Sequence, residues 1–304
     1  MKIVSIILTT YNSGNKIQEV LDSIYNQQRR GELFEIDLLV VDDCSIDNTQ
    51  DILLANDIKF LSTSKNTGGP NYGRNIALKK CTGDYICIAD HDDIWYANKL
   101  EALLSVIDLA PIVTSGYVLL DHSLSRKIYR VKQSLNNIGY LEYDKNETFI
   151  AKMTRSKTGQ ETYLGSILFC QSFKDIFFEE EYGMIDFDWV LRLFHNNSSV
   201  EVCKSLYLRK VKRNNLSLDE SYRINDYKYS MKTVSDFSDQ YPSQVNISIK
   251  RINGSMGRYY YLIGDMKNAR KYLMKSTINL ISILYLITTF VGHKFVRKHF
   301  NIFG

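Results

Sequence analysis

Three aspartates fall within four residues at Asp90-His91-Asp92-Asp93, directly after the apolar run Tyr85–Ala89. Carboxylates this close repel one another, and a divalent cation is the simplest compensation. Oxygen ligands with no cysteine among them select Mg2+ or Mn2+ over Zn2+. Such ions take one or two protein carboxylates and fill the rest of the shell with water and substrate phosphates. The competing reading is a solvated acidic turn capping a helix that starts near Ile94. Position favours the metal, because Asp90 and Asp92 follow what reads as a buried strand of a parallel sheet, and ligands bind beyond the carboxyl ends of such strands.

Two further polar clusters have the same placement. Thr9-Thr10-Tyr11-Asn12 follows the β-branched run Lys2–Leu8, and Asp42-Asp43-Cys44-Ser45 follows Leu38–Val41. At a strand end, Asp42 or Asp43 can accept bonds from a base N–H or from ribose hydroxyls. The alternative role is to cap the next helix, which Asp47 or Asn48 could do instead. Asn66 through Asn75 is a Gly-rich loop leading into a helix, and such backbone suits a phosphate. Asn66 and Gly69 are candidates on that ground. Arg74 either contacts a pyrophosphate or pairs with the strand-end aspartates. The loop lacks the Lys-Ser/Thr of a P-loop.

The elements that must position these clusters alternate along the first hundred residues. Strands are expected at Lys2–Leu8, Glu35–Val41, Ile58–Ser62 and Asp84–Ala89. Helices are expected at Lys16–Gln28, with Ile17, Val20, Leu21 and Ile24 at helical spacing, at Asn48–Ala55 and at Gly73–Cys81. This β-α-β alternation predicts a mostly parallel α/β sheet flanked by helices. A mixed sheet is expected in the middle, from Tyr117–Leu120, Ser166–Cys170 and Leu206–Val211, with a helix at Asp188–Phe194. The expected division is residues 1–235 as one domain (1–110 and 111–235 as its halves) and 236–304 as a helical extension.

Composition fits that plan. Of 304 residues, 44% are hydrophobic and 24% charged, which excludes a disordered chain. The five cysteines are scattered, with no Cys-x-x-Cys pair, which points to reduced thiols and a cytoplasmic setting. Nothing in the motifs calls for a nucleic-acid partner. The net charge of +4 is uneven, since Tyr241–Gly304 carries ten Lys/Arg and a single acid, Asp265. Met256–Ser276 reads as a helix, Ile278–Val291 as an apolar run too short to span a bilayer, and His293–Gly304 as a basic amphipathic segment. Residues 278–304 therefore read either as contacting an anionic membrane surface, peripheral at the inner face, or as packing on the domain or dimerising.

Taken as a set, four stretches resemble the family 2 glycosyltransferases of GT-A fold, the group that builds bacterial surface polysaccharides. They are Val4–Asn12, Val41–Thr49, Asn66–Asn75 and Gly83–Asp93. The resemblance is close over residues 1–100 and fainter to about residue 220. It implies that Thr9, Tyr11 and Asp43 hold the nucleotide and that Asp90 and Asp92 form the Asp-x-Asp motif, with Asp92 the better metal ligand. It also implies a general base in the segment Met184–Leu193. The family's usual Glu is replaced by Ile185; Asp186 stands at the Asp position, with Asp188 as its rival. Lys212–Ser217 resembles a late loop that closes on the diphosphate in relatives. The expected activity is inverting transfer of a sugar from a nucleotide-sugar donor, UDP favoured over dTDP and GDP, to a hydroxyl of a glycan or lipid-linked acceptor. The alternatives are a sugar nucleotidyltransferase and a non-catalytic sugar-nucleotide or glycan-binding module.

Overall fold

A computed structural model of the chain describes residues 1–121, 126–134, 138–156, 159–160, 163–211 and 219–292. The expectations for Lys212–Ser217 and for 293–304 lie outside the described residues. The chain divides into two compact units: residues 1–149 with 158–215, and residues 150–157 with 216–304.

The first unit is a sheet with flanking helices. Its leading elements are β1 (Lys2–Thr10), α1 (Ile17–Tyr25), β2 (Phe34–Asp42), α2 (Thr49–Ala55), β3 (Phe60–Ser62), α3 (Asn71–Lys80) and β4 (Tyr85–Asp90). β5 (Asp93–Trp95), α4 (Lys99–Leu104), β6 (Ile112–Asp121), β7 (Arg126–Arg130) and β8 (Tyr140–Tyr143) follow. After them come α5 (Glu147–Met153), of which 147–149 belong to this unit and 150–153 to the second, then β9 (Leu168–Cys170), α6 (Phe187–Phe194) and β10 (Ser199–Val211). The sheet order is β3-β2-β1-β4-β9-β6-β10-β5, with β7 on β6 and β8 on β10. β3, β2, β1 and β4 pair in parallel, and β9 runs antiparallel to both β4 and β6. The parallel half and the mixed half expected from the sequence are both present.

The core explains the register. β1 is central and buried from Val4 to Thr10 because helices cover both faces of a parallel sheet. α1 turns Ile17, Val20, Leu21 and Ile24 inward, each contributing about 2 kcal/mol through removal from water. β2 and β4 flank β1 on opposite sides, so the chain order reverses there, and a crevice opens beyond the carboxyl ends of such strands. Near Ile94 the chain forms β5, not the start of a helix; α4 begins later, at Lys99.

The second unit is helical among its described residues: α7 (Glu220–Ser235), α8 (Pro242–Ile263), α9 (Met266–Leu273) and α10 (Leu280–Thr288). α7 lies with this unit, whereas the sequence reading placed residues up to 235 in the first. The helix expected at Met256–Ser276 is two helices. Gly264 adopts φ 92°, ending α8 in a left-handed cap, and Asp265 then caps α9 by accepting from the Asn268 N–H at 3.0 Å. Tyr261, Ala269, Leu273 and Tyr285 form this unit's small buried cluster.

Candidate active site

Parallel pairing sets the first residues of the site side by side. Thr9 lies opposite Asp90, and Thr10 opposite Asp42. Asp42 is fully buried and accepts four bonds: from Thr10 Oγ1 (2.8 Å), Ser45 N (2.9 Å), Ser45 Oγ (2.6 Å) and Gln50 Nε2 (2.7 Å). These bonds brace the turn after β2, in which Cys44 takes φ 60°. Asp42 is thus fully engaged by donors of the protein itself. Asp43 accepts from Thr63 Oγ1 (2.9 Å) and from the Thr67 N–H (3.0 Å), tying the start of the Gly-rich loop to the end of β2. Thr9 is buried and Tyr11 is 40% exposed at the sheet edge.

The Gly-rich loop is keyed to a distant segment. Asn66 Oδ1 accepts from the Gly68 N–H at 2.8 Å, and Gly68 takes φ 86°. A side chain at Gly69 would place its Cβ 2.2 Å from the Gly183 carbonyl oxygen, so only glycine fits. The Asn71 N–H donates to that same carbonyl (3.0 Å), and Asn71 Nδ2 donates to the Glu179 and Ile185 carbonyls (both 3.0 Å). Arg74 is buried over the Phe178 ring, donating from Nη2 to Asp90 Oδ1 (2.7 Å) and from Nη1 to Asn71 Oδ1 (3.1 Å). Of its two expected roles, the structure shows the pairing with a strand-end aspartate. Removing either partner of a pair like this leaves a stranded charge and costs about 3 kcal/mol.

The three aspartates after β4 separate. Asp90 and Asp92 stay at the edge, Asp90 with Arg74 and Asp92 with Lys16 Nζ at 3.6 Å. Asp93 turns into the core, 2% exposed, with Oδ2 accepting no hydrogen bond among the described residues. It is therefore not part of an exposed triad, which corrects the expectation of three clustered carboxylates. Burial pushes the Asp93 pKa well up, and Asp90 and Asp92 push it further, with Arg209 and Lys99 opposing. Burial also lowers the His91 pKa, aided by Lys16 and opposed by Asp92 and Asp90.

Lys99 and Arg209 were not legible as site residues. Lys99 is fully buried; its Nζ donates to the Gly165 carbonyl at 2.6 Å and lies 3.4 Å from the Trp95 ring centroid. Burial lowers its pKa to about 8. Arg209 lies opposite Asp93 across β10 and β5, its guanidinium 3.7 Å from the Tyr163 ring centroid. The one sequence signal is the strand expected at Leu206–Val211, which places the basic Arg209 among apolar neighbours.

The Met184–Leu193 segment starts from another unforeseen residue. Glu179 is buried and accepts from the N–H groups of Tyr182 (2.8 Å), Gly183 (3.2 Å), Met184 (3.0 Å) and Ile185 (2.8 Å), and from Asn71 Nδ2 (3.1 Å). One carboxylate thus shapes the whole approach to α6. Ile185 is 1% exposed and belongs to the core. Asp186 is half-buried at the N-cap position of α6. Asp188 is ion-paired one turn on with Arg192, whose guanidinium also donates to the Phe177 carbonyl (2.7 Å). Asp186 and Asp90 both act on the Tyr163 phenol, whose pKa burial raises and Arg209 lowers. The Asp186 segment and the β4 end thus bear on one side chain.

Among the described residues no group of three or more His, Cys, Asp and Glu side chains surrounds one point. Two edge carboxylates, Asp90 and Asp92, match instead the sparse oxygen set that Mg2+ or Mn2+ takes beside phosphates.

Comparison with known proteins bears on the family and the fold. An uncharacterized glycosyltransferase of Rickettsia typhi is 34% identical over 134 residues, 43% of this chain and 41% of that protein. The chain thus aligns with about two fifths of that relative's length. The Staphylococcus aureus poly(ribitol-phosphate) beta-N-acetylglucosaminyltransferase TarS is 39% identical over 99 residues, 31% of this chain and 17% of that protein. The crystal structure of TarS 1–349 in complex with UDP-GlcNAc superposes with a TM-score of 0.68 at 20% identity, covering 91% of this chain and 82% of that one. The mannosyltransferase PcManGT from Pyrobaculum calidifontis, in complex with GDP-Man and Mn2+, gives a TM-score of 0.56 at 14% identity, over 95% and 79% of the two chains. The fold is GT-A. The Glycosyl transferase family 2 model matches residues 5–177, more than half of the chain, and with the site at the ends of β1, β2 and β4 this places the chain in glycosyl transferase family 2.

Proposed function

We propose that the chain transfers a sugar, with inversion, from a nucleotide-sugar donor to a hydroxyl of a glycan or lipid-linked acceptor in cell-surface polysaccharide synthesis. The observation that carries the proposal is the convergence of Thr9, Asp43, Arg74, Asp90 and Asp92 at one sheet edge, with Asp186 and Asp90 bearing on the same Tyr163 phenol. Tyr11 and Asp43 take the base, Thr9 the ribose side, and the Asn66–Gly69 backbone the diphosphate. UDP is the favoured nucleotide, since TarS is described with UDP-GlcNAc; GDP follows from PcManGT.

Asp90 and Asp92 would hold Mg2+ or Mn2+, which when bound supplies positive charge to the leaving diphosphate. Arg74 fixes the Asp90 carboxylate, and Lys16 balances Asp92 until a cation arrives. Asp186, set at the head of α6 by the Glu179-braced turn, accepts the proton of the acceptor hydroxyl as that oxygen attacks the anomeric carbon. The acceptor is first sought among poly(ribitol-phosphate) chains, the substrate in the name of TarS. No observation favours the nucleotidyltransferase or the non-catalytic module.

Calorimetric titration of UDP with and without Mn2+ tests the donor site, and transfer from UDP-GlcNAc tests the reaction. Asp186→Asn should lower transfer about a thousandfold while UDP affinity holds within twofold. Undiminished transfer by that variant would remove Asp186 from its role. Failure of UDP, dTDP and GDP alike to bind would remove the donor site.

An anionic membrane surface at the cytoplasmic face is a further part of the proposal. Ile278, Leu280, Ile281, Ile287 and Phe290 are exposed on and beside α10, while Tyr285 packs inward. Among the described residues no helix is long and apolar enough to cross a membrane. Sedimentation with phosphatidylglycerol liposomes at low and high salt tests it, and absence of binding in both leaves the packed-helix reading.

A further inference from the structure

Asn71, the first residue of α3, is fully buried, and both polar atoms of its side chain are engaged. Its Oδ1 accepts from Arg74 Nη1 at 3.1 Å, while Arg74 Nη2 donates to Asp90 Oδ1 at 2.7 Å. Its Nδ2 reaches the opposite way, donating to the carbonyls of Glu179 and Ile185 (both 3.0 Å) and to Glu179 Oε1 (3.1 Å). Ile185 immediately precedes Asp186. A continuous line of hydrogen bonds therefore runs from Asp90 through Arg74 and Asn71 to the peptide beside Asp186, and its last link joins residues 114 apart in sequence.

Glu179 and Asn71 act on that turn in different ways. The N–H groups that Glu179 gathers all lie within six residues of it, so its carboxylate sets the shape of the turn. A local brace of this kind fixes no distance to another part of the site. Asn71 belongs to a helix seated on the parallel half of the sheet. A Cβ at Gly73 would lie 3.1 Å from Thr9 Cγ2 and 3.3 Å from Val41 Cγ1, so α3 has little room to shift against β1 and β2. The Asn71 amide carries the position of that sheet edge across to the turn. An amide suits the task, because it offers an acceptor to a guanidinium on one side and two N–H donors to carbonyls on the other.

Transfer with inversion requires the base to reach the attacking hydroxyl while that oxygen faces the anomeric carbon. A misplacement of about 1 Å can cost on the order of a hundredfold in rate. We propose that Asn71 is a positioning residue for the transfer, setting the separation between the donor side of the site and Asp186. This role rests on Asp186 acting as the base.

The test is a double-mutant cycle of Asn71→Ser and Asp186→Asn in the full chain. It is read as kcat for transfer from UDP-GlcNAc to poly(ribitol-phosphate), with UDP affinity by calorimetry and amide exchange by mass spectrometry. Asn71→Ser should lower kcat about a hundredfold while UDP affinity and the KM for UDP-GlcNAc stay within about threefold. Donor binding is spared because Arg74 keeps Asp90 and the Phe178 ring. In the Asp186→Asn background Asn71→Ser should lower kcat no further, since its effect passes through that carboxylate. Exchange at the N–H groups of Tyr182 to Ile185 should quicken about tenfold in Asn71→Ser, a readout that needs no acceptor. Where Asn71→Ser does not fold, Glu179→Gln keeps the side chain's size, removes one of its two acceptor oxygens and should give the same loss of kcat at unchanged UDP affinity. Additive losses in the double variant, an equal loss of UDP affinity, or unchanged exchange in a folded Asn71→Ser would overturn the positioning role while Asp186→Asn stays impaired. Full activity of Asp186→Asn would instead remove the base, and the role of Asn71 with it.

Discussion

Strands β2 and β4 both end in clustered aspartates, Asp42-Asp43 and Asp90-His91-Asp92-Asp93, yet the two ends are built differently. After β2, every carboxylate oxygen of Asp42 and Asp43 accepts from a neutral donor, and the donors come from β1, α2 and the neighbouring turns. After β4, Asp90 and Asp92 face the cations Arg74 and Lys16, and Asp93 lies buried near Lys99 and Arg209. A carboxylate satisfied by fixed neutral dipoles has no electrostatic need of a ligand. One balanced by side-chain cations at unequal distances can exchange them for a metal ion. Strand-end aspartates thus serve as a brace in one loop and, among the described residues, remain paired only with side-chain cations in the other.

Substitutions can break this contrast. The largest effect is expected at the braced end: Asp42→Ala leaves several buried donors unmatched and should cost about 4 kcal/mol in urea unfolding. A loss below about 1 kcal/mol would dismiss the brace. Lys99 tests the charged end. Its folded pKa is about 8, against about 10.4 for an unfolded lysine. Between those values the unfolded chain holds a proton that the folded chain lacks, so stability should rise with pH across that window, by up to about 3 kcal/mol. Below pH 8 the cost is constant. Lys99→Met should flatten that rise, and an unchanged slope would show that Lys99 is not its source.

A smaller effect, confined to function, is expected at Asp92. Asp92→Ala should weaken Mn2+-supported UDP binding by roughly 10- to 100-fold while unfolding stays within about 0.5 kcal/mol, because exposed ion pairs contribute little. The smallest is Asp43→Asn, which keeps one acceptor oxygen and should lower stability by about 1 kcal/mol. Its UDP affinity decides whether Asp43 faces the nucleotide as well as Thr67.

Much of the parallel half was legible because its signals are local. The apolar strands, the helical spacing of Ile17, Val20, Leu21 and Ile24, and the polar residues at strand ends all lie within short windows. What escaped depends on tertiary burial. Glu179 sits in a run of three glutamates, which reads as a solvated stretch until its carboxylate is found gathering four backbone N–H groups. Lys99 reads as an exposed helix start, and its burial is visible only once Trp95 and Gly165 enclose it. The break at Gly264 was readable, since a glycine followed by Asp265 and then Asn268 signals the end of one helix and the capped start of another.

The contact between Gly69 and Gly183 has a consequence for anyone recombining such enzymes. With a Cβ position 2.2 Å from a carbonyl oxygen and Asn71 bonded to that same carbonyl, the loop at 66–75 and the turn at 179–185 form one inherited unit split across more than a hundred residues of sequence. A chimera that imports either segment alone brings a lock without its key. Crossover points that respect the interface must transplant both, so a donor-specificity graft carries the turn in front of Asp186 along with it.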